Sequence, residues 1–280
     1  MSARLLSGKE AASALLAELK PKVKQLDPLL CIVQVGDDPA SESYIRQKVR
    51  SAQEVGMRYE HRHLPEKTTK EELFAVIDDL NHDDRVTGFI VQVPLPGPLA
   101  SATADVTRAI DPRKDIDGFT SANLGETFLG LSFEHLPPAT PAGIIALLEH
   151  YAISPKGKHV VIVGRSNTVG KPLSVMLLNR DATVTICHSG TKDLAAMTRQ
   201  ADILIVAVGR AKMITASMVK PGAVVIDVGM NRVDGKLCGD VDFEAVQKVA
   251  SAITPVPGGV GPMTVTALIR NCVQAAEHKD

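Results

Sequence analysis

His159-Val160-Val161-Ile162-Val163 leads directly into Gly164-Arg165-Ser166-Asn167-Thr168-Val169-Gly170-Lys171-Pro172. An apolar run, a turn bounded by two glycines and a helix reaching to about Asn179 make a strand–turn–helix unit. Such a turn aims backbone N–H groups and a helix N-terminus at a phosphate. The general dinucleotide fingerprint is G-x-G-x-x-G. Ser166 takes the place of its middle glycine, so the turn by itself is a weak sign. A P-loop requires G-x-x-x-x-G-K-[ST]. Five residues separate these glycines, and Pro172 stands where a magnesium-binding hydroxyl belongs, so a P-loop is rejected.

The next strand refines the ligand. An NAD site places Asp or Glu about 20 residues beyond the glycines to bind the ribose hydroxyls. Thr183 to Cys187 instead runs into His188-Ser189-Gly190, with no acid. Arg165 in the turn and Ser189 offer a cation and a hydroxyl donor, which suit the 2′-phosphate of NADP. A guanidinium that only solvates a surface turn is the other reading of Arg165.

The alternation continues in both directions. Thr191 to Gln200 reads as a helix, and Ile203 to Val208 and Ala223 to Val228 as strands. Upstream, Leu29 to Val35 is a buried strand. In the turn that follows, Asp38 is placed to cap a helix and Pro39 to open it. That helix reaches Val55, with Ile45, Val49 and Ala52 on its apolar stripe and Gly56 as its stop. Arg58 to Leu64 is a strand, Lys70 to Leu80 a helix and Thr87 to Val93 a strand. Residues 94–123 read as irregular, and Pro141 opens a helix to Tyr151. The pattern predicts an α/β fold: two α/β domains with an interdomain cleft, the C-terminal one a Rossmann-like doubly wound parallel sheet. The last helix, Met263 to Ala276, is expected to return to the first domain. The expected division is 1–139 plus 264–280 for the first domain and 140–263 for the second, which carries the dinucleotide turn.

Composition narrows the class. A chain of 280 residues suits two small domains. It is 45% hydrophobic and 22% charged with net charge -1, which gives no nucleic-acid or basic membrane footprint. With no Trp, three Tyr and six Phe, the core must be aliphatic, as buried parallel strands are. Cys31, Cys187, Cys238 and Cys272 form no Cys-x-x-Cys pair, which argues against a zinc site or a disulfide framework. Met1 to Lys9 lacks a signal-peptide core, and no apolar run approaches a membrane span, so the cytoplasm is expected. His61 and His63 alternate on one strand and read as surface residues, not ligands.

Four residues outside the dinucleotide turn draw interest. Tyr44 and Lys48 lie four apart on one helical face. That spacing is equally met by a solvated lysine beside a packed tyrosine, and a lysine that does chemistry needs its pKa lowered by burial or a nearby positive charge. Gln92 sits near the C-terminal end of its strand, where open α/β sheets bind ligands; an edge residue facing water fits as well. Asp117, before Gly118, can hold an aminopyrimidine edge through two hydrogen bonds or simply cap a turn. Pro255 to Pro262 holds three glycines and three prolines, more proline than a flexible linker carries.

Together these motifs resemble the bifunctional methylenetetrahydrofolate dehydrogenase/methenyltetrahydrofolate cyclohydrolase family. The matching pieces are Asp38-Pro39-Ala40-Ser41 with Tyr44 and Lys48; Gln92 through Pro96; Lys114 through Gly118; Gly164-Arg165-Ser166 with Val169, Gly170 and Pro172; Cys187-His188-Ser189; Asp227-Val228-Gly229; Gly239-Asp240-Val241; and Pro255 through Thr264. Val93 and Ala139 depart from the leucine and cysteine common there, at positions given no chemistry. The resemblance implies NADP-dependent oxidation of 5,10-methylenetetrahydrofolate to 5,10-methenyltetrahydrofolate, then hydrolysis to 10-formyltetrahydrofolate. It implies Lys48 as the catalytic lysine, Tyr44 stacked on substrate, Gln92 as partner of the lysine and Asp117 on the pterin. Gly164, Arg165, Ser166, Ser189 and Met230 are the implied NADP contacts, and Pro257, Gly258 and Gly259 implied substrate contacts. It also implies a homodimer in one-carbon metabolism, feeding purine, histidine and methionine biosynthesis.

The implied mechanism needs a neutral Lys48 to shuttle protons, positioned by a hydrogen bond from Gln92. Two alternatives remain at this point: a folate dehydrogenase without hydrolase activity, and a non-catalytic NADP-binding or redox-sensing module. A malate-type or amino-acid dehydrogenase would need a carboxylate-binding cation cluster or metal-binding acids that the sequence does not show.

Overall fold

In the computed structural model, which describes residues 2–278, the chain opens with β1 (Arg4–Leu5) and α1 (Gly8–Leu26). There follow β2 (Leu29–Val35), α2 (Pro39–Val55), β3 (Arg58–Leu64), α3 (Lys70–His82), β4 (Gly88–Val91), α4 (Thr103–Ala109), α5 (Ser121–Leu129) and α6 (Ala139–His150). The second run is β5 (His159–Val163), α7 (Gly170–Leu178), β6 (Thr183–Cys187), α8 (Leu194–Thr198), β7 (Ile203–Val206), β8 (Val224–Asp227), β9 (Asn231–Val233), β10 (Lys236–Cys238), α9 (Phe243–Val246), β11 (Ala252–Ile253) and α10 (Val260–Glu277). These elements form two units. One holds the residues up to Ser13 with Thr140–Thr264, the other Ala14–Ala139 with the residues from Val265 on.

In the second of these units β2 is the middle strand of a parallel sheet ordered β3-β2-β4. It is buried at every position, which explains why every residue but Gln34 is apolar. Its Cys31, Val33 and Val35 pack with Phe89 and Val91 of β4, Leu73, Ile77 and Leu80 of α3 and Val106 of α4. The start of α2 is fixed as its sequence suggests: Asp38 accepts from the Ser41 amide at 2.7 Å, with Pro39 opening the helix. Its end is a left-handed Gly56 at φ 75°. The stretch 94–123, expected to be irregular, in fact contains α4. Beyond it, Asp115 pairs in parallel with Phe89 at the free edge of β4. Asn271 of α10 then donates to the carbonyls of Ile116 at 2.9 Å and Pro137 at 2.8 Å, so the last helix ties down both flanking segments.

In the other unit six strands run parallel in the order β1-β11-β8-β7-β5-β6. The N-terminal residues differ from the expected division. Arg4 and Leu5 pair with Ala252 and Ile253, so residues up to Ser13 join this sheet and not the expected first domain. A two-residue strand has no local periodicity to announce it; its partner supplies the reason for its conformation. The chain leaves β5 for β6 on one side and returns to β7 on the other, so the ends of β5 and β7 form the switch point of the sheet. Among the described residues no helix is long and apolar enough to cross a membrane.

Candidate active site

The Lys48 site is built at the switch point of the smaller sheet, where β2 and β4 end side by side. Gln92 follows β4 directly, and its backbone N–H donates to the Val33 carbonyl at 2.8 Å. That bond holds the glutamine at the strand end. Lys48 comes from α2, and its Nζ donates to Gln92 Oε1 at 2.9 Å. Gln92 Nε2 is occupied with the Val93 carbonyl at 2.7 Å, which fixes the oxygen end of the amide toward the lysine. The bond therefore runs from Lys48 to Gln92, opposite to the expected direction.

Both side chains are only 8% exposed at the residue level. Burial lowers the pKa of Lys48 from its ordinary 10.5, and the negative charge of Asp117 opposes that shift. Burial likewise raises the Asp117 carboxyl, with the Lys48 charge pulling it back and Asp115 pushing it further up. Tyr44 lies one turn before Lys48 on α2, half-buried, with its hydroxyl pKa raised by the same loss of hydration. The structure thus brings Lys48, Gln92 and Asp117 into one electrostatic group and puts Tyr44 on the face that carries it.

Asp117 is presented by a tightly tied loop. Asp115 is buried and accepts from Gly118 N at 3.0 Å, Thr120 N at 2.7 Å and Asn123 Nδ2 at 3.0 Å. The Asp117 carbonyl accepts from Ala139 N at 3.1 Å. Sequence reasoning did not assign Asp115 or Asn123. An aspartate two residues before Asp117, then an asparagine at a helix start, were the signals available.

The dinucleotide turn lies at the other switch point. Gly164 has φ 131°, and a Cβ there would overlap the carbonyl of Ala207, which follows β7; only glycine fits. Its N–H donates to Cys187 at the end of β6, at 2.9 Å. Ser166 Oγ accepts from the amides of Val169 at 3.1 Å and Gly170 at 3.4 Å, at the start of α7. Arg165, Ser166 and Ser189 are exposed, on the ends of the paired strands β5 and β6. No carboxylate stands at the end of β6, and the exposed groups here are a guanidinium and two hydroxyls, donor types that a phosphate accepts from. Met230 follows β8 and is partly exposed. Pro257, Gly258 and Gly259 follow β11, and the Gly258 carbonyl accepts from Lys9 N at 3.2 Å. These three therefore belong to the unit of the dinucleotide turn, whereas Tyr44, Lys48, Gln92 and Asp117 belong to the other. His61 and His63 stack with ring centroids 5.7 Å apart, and no group of His, Cys, Asp or Glu suited to a metal ion occurs among the described residues.

Two family models match the chain, with bounds that differ from these units near both termini. The profile of the tetrahydrofolate dehydrogenase/cyclohydrolase catalytic domain matches residues 6–117, and that of the family's NAD(P)-binding domain matches residues 138–280. The chain is 51% identical to the bifunctional protein FolD of Halalkalibacterium halodurans, over 99% of this chain and 100% of that one. Its structure is similar to that of the bifunctional methylenetetrahydrofolate dehydrogenase/cyclohydrolase of Campylobacter jejuni, with TM-score 0.95, 45% identity and 100% of each chain covered. It is also similar to the Trypanosoma brucei dehydrogenase–cyclohydrolase solved with NADP and an inhibitor, with TM-score 0.93 and 33% identity over 99% of this chain and 98% of that one.

Proposed function

The chain belongs to the tetrahydrofolate dehydrogenase/cyclohydrolase family, and on that premise we propose that it oxidises 5,10-methylenetetrahydrofolate with NADP and hydrolyses the methenyl product to 10-formyltetrahydrofolate. The observation that carries the reading is the buried contact of Lys48 Nζ with Gln92 Oε1, under the charge of Asp117. A solvated surface lysine has no such surroundings.

The bridging methylene carbon lies between two nitrogens whose lone pairs stabilise a cation. NADP, when bound, would supply the acceptor for the hydride. This step therefore asks the protein chiefly for orientation. Asp117 accepts hydrogen bonds from the aminopyrimidine edge of the pterin, and Tyr44 stacks on the substrate. Arg165, Ser166 and Ser189 would hold the cofactor phosphate and Met230 would contact it, while Gly164 lets the turn pack against Ala207. Pro257, Gly258 and Gly259 contribute further substrate contacts.

Hydrolysis needs a base. As water adds to the cationic carbon, its proton passes to the neutral amine of Lys48. Burial and the positive charge of the substrate both favour that neutral form. When the bond from carbon to N5 breaks, N5 takes the proton from Lys48 and the new hydroxyl releases its own, leaving a formyl group on N10. Gln92 keeps Nζ from swinging away by accepting one of its hydrogens.

The reading extends to a cytoplasmic homodimer serving purine, histidine and methionine biosynthesis. In support of self-association, β6 is a sheet edge on which Ile186 is 38% exposed, and Leu178 of the neighbouring α7 is 61% exposed. The deciding experiment mixes purified protein with methylenetetrahydrofolate and NADP or NAD, and follows reduced cofactor and 10-formyl product. Both products are expected with NADP. Lys48→Met is expected to lose hydrolysis of methenyltetrahydrofolate while still binding NADP; undiminished hydrolysis would remove Lys48 from the reaction.

A further inference from the structure

Two carboxylates outside the Lys48 group are buried beside the ends of β7 and β8, and no step of the reaction uses them. Asp240 is 0% exposed. Its Oδ2 accepts from Val208 N at 2.7 Å and Gly209 N at 2.9 Å, and its Oδ1 from Arg210 N at 2.7 Å and Asn231 Nδ2 at 2.9 Å. Three consecutive amides thus converge on one carboxylate, an arrangement that ordinarily receives an anion from outside. Asp227 is 3% exposed and supports the first carboxylate from behind. It accepts from Asp240 N at 3.0 Å, Val241 N at 2.9 Å and Gly229 N at 3.0 Å.

The space is closed by two glycines. A Cβ at Gly229 would overlap the Asp240 carboxylate, and one at Gly239 would overlap that of Asp227. What these carboxylates hold is the rim of the sheet at its switch point. Ala207, immediately before the three amides, has its carbonyl against Gly164 of the dinucleotide turn. Met230 lies between Gly229, tied to Asp227, and Asn231, tied to Asp240. One buried charge therefore fixes both the loop that flanks the dinucleotide turn and the turn that bears Met230.

We propose that Asp240 is a positioning residue for the NADP site, acting as an internal anion that locks residues 208–210 and Met230 in cofactor-binding geometry, with Asp227 holding Asp240. The proposal rests on the functional reading above. Its effect falls first on the unit that carries it, which holds the Pro257–Gly259 contacts, whereas Tyr44, Lys48, Gln92 and Asp117 all belong to the other unit.

The test measures NADP binding by calorimetry, and hydrolysis of methenyltetrahydrofolate without NADP, for the full-length wild type, Asp240→Asn, Asp240→Ala and Asn231→Ala. Asp240→Asn keeps the shape but sets an amide NH2 against backbone donors. It is expected to raise the Kd for NADP at least tenfold while hydrolysis stays within about threefold of wild type. Asp240→Ala is expected to weaken NADP further, and added formate to restore part of the affinity, since a small carboxylate can enter among the four donors. Unchanged NADP affinity in folded Asp240→Asn overturns the proposal, as does an equal loss of binding and hydrolysis. Should the Asp240 variants fail to fold, Asn231→Ala decides: a several-fold weaker NADP complex with hydrolysis retained supports the proposal, and an unchanged Kd overturns it. Failure of the wild type itself to bind NADP would instead count against the functional reading.

Discussion

Asn123 donates from Nδ2 to the Asp115 carboxylate at 3.0 Å, and the same nitrogen lies 3.0 Å from the Pro112 carbonyl. One amide thus links the two ends of the turn that leads to Asp117. Asp115→Asn would leave one acceptor oxygen where three donors now point, and a lost buried partner of this kind costs about 1–3 kcal/mol. We expect a lower urea midpoint and a KM for methylenetetrahydrofolate raised about tenfold, with the Kd for NADP unchanged. Steady-state kinetics with calorimetry would check it, and an unaltered folate KM would show that Asp117 is held without Asp115.

Lys48 works as a base only when neutral. Its pKa is lowered by burial, so hydrolysis should rise with pH through a midpoint below the ordinary 10.5 of a lysine. The charge of Asp117 resists that shift. Neutralising it in Asp117→Asn should therefore move the midpoint to lower pH, whatever it does to substrate affinity. Lys48→Arg should be inactive at every pH, because a guanidinium stays protonated. Profiles of kcat against pH for methenyltetrahydrofolate hydrolysis test all three statements; a midpoint that moves up in Asp117→Asn contradicts the electrostatic assignment.

What the sequence disclosed and what it hid divide along the range of the forces involved. The bounds of α2 were readable because Asp38, Pro39 and Gly56 act on their own neighbours. The helix α1 was not assigned, although Ala12, Leu16, Leu19 and Val23 are buried at helical spacing, because Pro21 interrupts the pattern. The two-residue strands β1 and β11 exist by pairing, β1 with β11 and β11 with β8, and carry no signal alone. Each of the four has an ordinary reading in sequence: a packed Tyr44, a solvated Lys48, an edge Gln92 and a turn-capping Asp117. What sets Lys48 and Gln92 apart from it is their contact across 44 residues of sequence, and what sets Asp117 apart is its charge acting on Lys48. The role of Asp240 is invisible in sequence, since backbone amides 30 to 32 residues away are its main partners and any residue type can offer those.

Arg165 should set cofactor choice. It is exposed in the turn after β5, and the paired strand β6 ends without a carboxylate that could take the ribose hydroxyls. Arg165→Ala removes a charge-assisted partner of the 2′-phosphate, so the Kd for NADP should rise about tenfold or more while that for NAD changes little. Titration of both cofactors is the measurement. Equal losses would mean that Arg165 contacts a part of the cofactor common to both.

Asp227 carries a pH dependence of its own. Burial pushes its carboxyl from 3.8 up to about 6, against the lowering effect of the amides of Val241, Asp240 and Gly229. The folded protein then holds this proton more tightly than the unfolded chain does. Between those two pKa values the native state binds more protons, so the contribution of Asp227 to stability falls as pH rises and is fully lost above about 6. The difference between pH 4 and pH 7 is on the order of 2–3 kcal/mol for this one group. Urea unfolding of wild type and Asp227→Asn across that range isolates it, because the other titrating groups are common to both proteins. The stability of wild type relative to the variant should decline toward pH 7, and a difference that is flat with pH would show that the three amide donors offset the burial of the charge in full.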